Sequence, residues 1–343
     1  MHDQLQEARE LVLAAGNELV REGLIARTWG NISARISDTQ FVITPTGRAY
    51  HTLKAEDIVV VNVKDLSWEG DIRPSSERGV HSMIYQERPE VNFVIHTHQA
   101  YASALSVSGD DIPAQEVIPC SRYGRNASPE IQANMRRAVH DHPAQTAFLM
   151  QHHGAVGFGG SREQAFESCY QLEQRSRDWY RRICGSDVPE LRFGYTAPKP
   201  EGDFSGDIDL SDRPFVRDGR IAMLSRAPYT KILAAKGREL PAYIEDFAQI
   251  AGVSVTCVAS LEDEAAIEKA LSACDAVLVK DQGALCTGVS REDVEAQCMI
   301  FEKNCLAALL AEKTGAAPVA PADALWDRDG YLENYSKLIT TNL

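Results

Sequence analysis

The feature that most restricts how this 343-residue chain can fold is a match between its two halves. Tyr101, Leu105, Gly109, Pro113 and Ala114 recur as Tyr229, Leu233, Gly237, Pro241 and Ala242, each 128 positions on. Gly154, Ala155, Gly159, Ser161, Arg162 and Glu163 recur as Gly283, Ala284, Gly288, Ser290, Arg291 and Glu292, each 129 positions on. Cys169 and Glu173 return as Cys298 and Glu302 at that same spacing. A spacing held from Tyr101 to Glu173 implies one structural unit used twice, because shared strand–turn–helix composition alone would let it drift. The second copy is truncated and lacks an equivalent of about the first 60 residues.

The repeated unit mixes strands and helices. Leu5, Ala8, Leu11, Val12, Ala15 and Leu19 follow a helical period. Residues 39–44, 57–63, 91–98 and 146–151 are rich in apolar and β-branched residues and read as strands. Ser76 opens a short helix that must end before Pro89. Ser161 with Gln164 forms a capping box for a long helix reaching about Cys184. Strands and helices do not alternate strictly, which points to an α/β sandwich with a mainly antiparallel central sheet. Residues 186–217, dominated by Pro, Gly and Asp, read as a linker between units at 1–185 and 218–343.

The net charge of −14 argues against a nucleic-acid or membrane-surface partner, either of which usually needs a basic patch. No leader-like apolar segment or membrane-length apolar run is evident, so a cytoplasmic protein is expected. The eight cysteines show no paired two-residue spacing and read as reduced core residues.

All nine histidines lie at or before His153. His96 and His98 end an apolar run, and in a strand residues i and i+2 face the same way. His153 ends a second such run, just before Gly154. Three neutral imidazoles with an open fourth position are the ligand set of a catalytic zinc site, with Mn2+ or Co2+ as possible substitutes. His152 should face away from His153, and His140 and His142 sit in a polar stretch read as an exposed loop. In the second copy the three ligand positions become Leu224, Arg226 and Gln282, so the scaffold is kept and the chemistry lost.

Around the histidines lie turns suited to an anion: Thr28-Trp29-Gly30-Asn31, Thr44-Pro45-Thr46-Gly47 and Ser75-Ser76. Hydroxyls, a carboxamide and free backbone N–H groups at a helix start suit a phosphate. Glu77 falls in the first turn of that helix, where it either favours the helix dipole or serves as a general base.

With these blocks in place the chain resembles the class II aldolase/adducin family. Gly30-Asn31-Ile32-Ser33, Thr44-Pro45-Thr46-Gly47, Pro74-Ser75-Ser76-Glu77 and His96-Thr97-His98 with His153-Gly154 carry the resemblance, over about residues 5–180. It implies a three-layer fold with helices on both sides of a mainly antiparallel sheet. It implies zinc on His96, His98 and His153, Glu77 as catalytic acid/base, and substrate phosphate on Thr28, Asn31, Thr46, Gly47, Ser75 and Ser76. The implied reaction cleaves a phosphorylated ketose to dihydroxyacetone phosphate and an aldehyde through a metal-stabilised enediolate. Sugar-phosphate 4-epimerisation, dehydration or decarboxylation at the same site, or a non-catalytic adducin-like interaction module, are the alternatives. One departure stands out: where the family's aldolases use a tyrosine, this chain has Val117, and its repeat has Glu245. Family aldolases place their sites between subunits of a ring. The inert copy is therefore expected to act as a built-in neighbour in a homodimer or a multiple of it, with Tyr243, Glu245 or Tyr335 as candidates for the missing group.

Overall fold

The computed structural model describes residues 2–25, 29–217 and 219–335, with side chains other than those of residues 2, 334 and 335. The chain forms two compact units, residues 1–179 and 180–343. Among the described residues no helix is long and apolar enough to cross a membrane.

In the first unit the elements run α1 (His2–Arg21), β1 (Asn31–Arg35), β2 (Gln40–Ile43), β3 (Val59–Asn62), α2 (Arg78–Glu87), β4 (Phe93–Thr97), α3 (Ala100–Ser106), β5 (Cys120–Ser121), α4 (Pro129–Asp141), β6 (Ala147–Met150), β7 (Gly154–Gly159) and most of α5 (Arg162–Cys184), whose last turns belong to the second. The seven strands form one sheet in the order β3-β2-β1-β4-β7-β6-β5. Every pair is antiparallel except β5 with β6. β4 lies in the middle and is buried on both faces, which is why its run is apolar without alternation. On one face Val80, Met83 and Ile84 of α2 and Ile131, Met135 and Val139 of α4 pack on Phe41, Val61, Val94, Phe148 and Phe158. On the other face α1 covers β1 and β2, and α3 covers β6 and β7. This is the expected three-layer α/β arrangement.

The segment around His140 and His142 is a correction. It is not a loop: His140 sits in the last turn of α4, and His142 caps it and bonds Asp111 Oδ2 at 2.9 Å. The Ser128 hydroxyl accepts from the Ile131 N–H, and Pro129 occupies the first turn. The apolar positions Ile131, Met135, Ala138 and Val139 have helical spacing, a signal masked by the polar residues between them.

The second unit carries β8 (Ile208–Asp209), β9 (Ile221–Ser225), α6 (Pro228–Ala235), β10 (Leu240–Pro241), α7 (Glu245–Ala251), β11 (Ser254–Val255), β12 (Cys257–Val258), α8 (Glu264–Leu271), β13 (Ala276–Val279), β14 (Gly283–Gly288), α9 (Arg291–Thr314) and α10 (Pro321–Gly330). Its main sheet has the order β12-β13-β14-β9-β8, and β10 pairs with β11. The stretch read as a linker contributes β8 to that sheet and is pinned by Arg192, whose guanidinium bonds Asp207 at 2.6 Å. All eight cysteines are free, six of them buried.

Candidate functional site

The site is built at the end of β4 in the first unit. Alternation along β4 puts His96 on the same face as Val94, towards α2. His98 follows just past the strand end. His153 leaves a tight β6–β7 turn in which His152 takes φ +61, a left-handed conformation that a non-glycine residue adopts at some cost. Gly154 comes next, and a Cβ there would lie 2.5 Å from the Thr97 carbonyl oxygen and 3.4 Å from His96 Cε1, so only glycine lets β7 approach this closely.

The three imidazoles converge. Ring centroids are 4.6 Å apart for His96 and His98, 4.9 Å for His96 and His153, and 5.2 Å for His98 and His153. One ligand nitrogen from each lies within 4.8 Å of the others, and all three residues are buried. Among the described residues no other group of three such side chains meets this condition. His96 Nδ1 lies 2.9 Å from the Ala155 carbonyl oxygen, which can only accept. That bond fixes the proton on Nδ1 and leaves the Nε2 lone pair facing inward. Burial also holds His96 well below the usual histidine range, against the attraction of Glu77. His96 Nε2 and His98 Nε2 stand 2.8 Å apart. A buried set of inward-facing imidazole nitrogens with a carboxylate beside it fits a divalent cation.

That carboxylate is Glu77, the residue that opens α2. Its Oε1 is 2.8 Å from His153 Nε2 and its Oε2 is 3.2 Å from His96 Nε2. Burial alone would raise its carboxyl, but His96, His153 and His98 outweigh that and hold it well below the usual carboxylate range. The position at the start of α2 favours the anion further.

The anion-suited loops gather beside it. Thr28 lies outside the described residues. The turn after β2 and the approach to α2 are stitched together: Ser75 N–H donates to the Thr44 carbonyl (3.0 Å), and Thr46 N–H to the Arg73 carbonyl (3.1 Å). These bonds and the Pro45–Pro74 bridge join the turn that carries Thr46 and Gly47 to the segment that carries Ser75 and Ser76, and the Glu77 N–H donates to the Ser75 hydroxyl at 3.2 Å. Asn31 pairs with His96 across β1 and β4. Its carboxamide is turned to Glu77, with Nδ2 donating to Oε2 at 2.6 Å. Val117 is an exposed loop residue, Glu245 is fully buried at the start of α7, and the Tyr335 side chain lies outside the described residues.

Sequence reasoning missed a second row of residues behind Glu77. His81, Ser33, Tyr85 and Arg35 continue the contacts of Asn31 along β1 and α2. Their spacing was visible: 31, 33 and 35 share a strand face, and 77, 81 and 85 share a helix face.

Comparison with known proteins agrees with this geometry. Residues 10–180 match the class II aldolase and adducin N-terminal domain. The L-ribulose-5-phosphate 4-epimerase UlaF of Salmonella paratyphi B is 31% identical over 191 residues, spanning 50% of this chain and 84% of the relative. The chain therefore belongs to the class II aldolase/adducin family. Similar solved structures include an L-fuculose 1-phosphate aldolase, 25% identical, covering 50% of this chain and 84% of that one, with TM-score 0.47. Another is the L-fuculose-1-phosphate aldolase of Thermus thermophilus, 22% identical, covering 55% and 100%, with TM-score 0.44.

Proposed function

We propose that this protein is a zinc-dependent enzyme that cleaves a phosphorylated ketose to dihydroxyacetone phosphate and an aldehyde. The observation that carries this reading is the buried Glu77 carboxylate set against His153 and His96, next to the stitched loops at Thr44–Gly47 and Arg73–Ser76. His96, His98 and His153 would hold the cation. The chemistry a bound divalent ion supplies there is Lewis acidity towards a carbonyl oxygen.

The chain's own residues do the rest. Thr46, Gly47, Ser75 and Ser76 offer hydroxyls and N–H groups to the phosphate and so fix the register of the sugar. Glu77 in its carboxylate form takes the proton from the carbon that becomes nucleophilic in the condensation direction. In the cleavage direction it returns that proton to the same carbon. The proton on the aldehyde oxygen has no assigned carrier, because Val117 stands where the tyrosine is expected.

That vacancy, with the named 4-epimerase among the relatives, favours a second reading: 4-epimerisation of a phosphorylated ketopentose at the same centre. One experiment separates the two. The zinc-loaded protein is incubated with L-fuculose 1-phosphate and with L-ribulose 5-phosphate. Dihydroxyacetone phosphate is followed by a coupled assay, and the pentose products by NMR. Release of dihydroxyacetone phosphate supports cleavage, inversion of the pentose without fragments supports epimerisation, and inertness towards both rejects the two readings together. A homodimer or a multiple of it is proposed for the assembly, and sedimentation equilibrium tests it.

A further inference from the structure

Behind Glu77 runs a chain of buried polar groups that the proposed reaction does not use. Asn31 Nδ2 donates to Glu77 Oε2 at 2.6 Å. Asn31 Oδ1 lies 2.6 Å from His81 Nε2. His81 Nδ1 lies 2.7 Å from Ser33 Oγ, which lies 2.7 Å from the Tyr85 hydroxyl. Asn31, Ser33, His81 and Tyr85 are all at most 5% exposed, so no bulk water competes for these bonds.

The chemistry of each group fixes the direction of every bond. The Asn31 carboxamide gives its N–H to the carboxylate, which leaves its oxygen as an acceptor. His81 Nε2 must then carry the proton. A neutral imidazole with Nε2–H has a bare Nδ1, so Ser33 donates to it. The Ser33 oxygen accepts in turn from the Tyr85 hydroxyl. All four hydrogens point the same way, from Tyr85 to Glu77. Burial keeps His81 in the neutral form this requires, lowering its pKa to about 4 against the pull of Glu77.

We propose that His81, Ser33 and Tyr85 are positioning residues: a one-way seam between β1 and α2 that, through Asn31, fixes the orientation of the Glu77 carboxylate. The seam does not carry a proton, since the carboxamide of Asn31 has none to pass on without a costly tautomer. Its effect is to hold Oε2, which also lies 3.2 Å from His96 Nε2, by a committed donor, so that Oε1 is kept facing His153. Links of one sense polarise each other, which strengthens the last one. The seam also assigns the Asn31 side chain to Glu77 instead of the phosphate. The part of this proposal that concerns turnover rests on Glu77 being the proton-transfer group.

The test has a spectroscopic arm, a crystallographic arm and a kinetic arm. In metal-free protein labelled with 15N-histidine, the His81 ring, assigned by its loss in His81→Gln, should show protonated Nε2 and bare Nδ1 from pH 6 to 8. An Nδ1–H ring, a mixture of tautomers or an imidazolium overturns the seam. Crystal structures of His81→Leu and His81→Gln come next. Gln offers an N–H and an oxygen in the same sense and should leave Asn31 on Glu77, whereas Leu should release the Asn31 amide and let the carboxylate turn. A Glu77 carboxylate unmoved in His81→Leu rejects the positioning role. Should His81→Leu fail to fold, Ser33→Ala and Tyr85→Phe replace it. With L-fuculose 1-phosphate or L-ribulose 5-phosphate, His81→Leu should lower kcat about ten- to a hundredfold with KM little changed, and His81→Gln should recover most of the loss. Equal losses in both variants, or a loss in KM alone, count against the seam. A wild-type protein inert to both sugars rejects the functional reading while the first two arms still decide the seam.

Discussion

The run β5-β6-β7-β4 of the first unit and the run β12-β13-β14-β9 of the second are the same piece of sheet in order, sense and register. Thr97 opposes Ala155, and Ser225 opposes Ala284; Ala147 opposes Gly157, and Ala276 opposes Cys286. The outermost pair is parallel in both. Local devices agree as well. The Glu173 carboxylate takes the Tyr101 and Ala102 N–H groups at the start of α3, and Glu302 takes those of Tyr229 and Thr230 at the start of α6. The turn residues His152 and Asp281 have φ +61 and +59. At the ligand positions the likeness stops. Where His96 stands, Leu224 joins an apolar core, and no counterpart of α2 with its carboxylate occurs among the described residues. The parts that shape the strand ends are thus separable from the residues proposed to do chemistry, which draw on α2 as well as on the three histidines.

The largest expected effect is on metal content. His96→Ala or His153→Ala should take bound zinc from one per chain to none by elemental analysis, while Arg226→Ala and Gln282→Ala leave it at one. Zinc retained after loss of a first-unit histidine would erase the contrast between the units. Next is Glu77→Gln, which should keep the metal and slow turnover by about a hundredfold or more. Turnover that survives intact would demote Glu77 to a helix-start residue.

Acid should act in opposite directions on two buried groups, His81 in the first unit and Glu302 in the second. His81 is held at about 4 by burial, so its unfolded form takes a proton first as pH falls. Its contribution is complete above about pH 6.5 and lost towards pH 4, about 3 kcal/mol in all. Glu302 is raised to about 6 by burial, against the N–H and hydroxyl donors of Tyr229 and Thr230. Its contribution of about 2 kcal/mol is complete below about pH 4.5 and lost as pH rises through 6. Hydrogen exchange corrected for intrinsic rates should show these slopes in the respective units, with His81→Gln flattening the first and Glu302→Gln the second. A pH slope left unchanged by His81→Gln or by Glu302→Gln would refute the assignment of that group. Smallest of all, His152→Asn and Asp281→Asn keep a residue type that tolerates a left-handed turn. Each should leave zinc content alone and shift Tm by no more than about 2–4 °C.

Much of this was open to reading in the sequence. The spacing of 128 and 129 followed from strand ends and glycines that steric contact fixes, and the His96–His98 pair from strand alternation. The helix from Arg162 to Cys184 ends where its apolar period ends. The hidden part was polar and internal. His81 and Ser33 look like ordinary polar residues until α2 is laid against β1, because hydrogen-bond partnership across 48 residues leaves no local signature. The Asn31 contact was hidden for the same reason: a carboxamide suits a phosphate or a carboxylate equally, and its bond to Glu77 shows only once β1 and α2 are packed.

The seam has a consequence for how α2 can vary. Arg35 closes its far end, donating to the carbonyls of Tyr85 and Val91 with its guanidinium over the Tyr85 ring at 4.6 Å, while Glu77 opens the near end. Between them the rungs at 77, 81 and 85 keep step with 31, 33 and 35. One inserted residue would turn Glu77 by about 100° relative to Tyr85, so one end of the ladder would always miss its rung. In this sense α2 behaves as a ruler cut to length, and the reach of the carboxylate is written in its residue count.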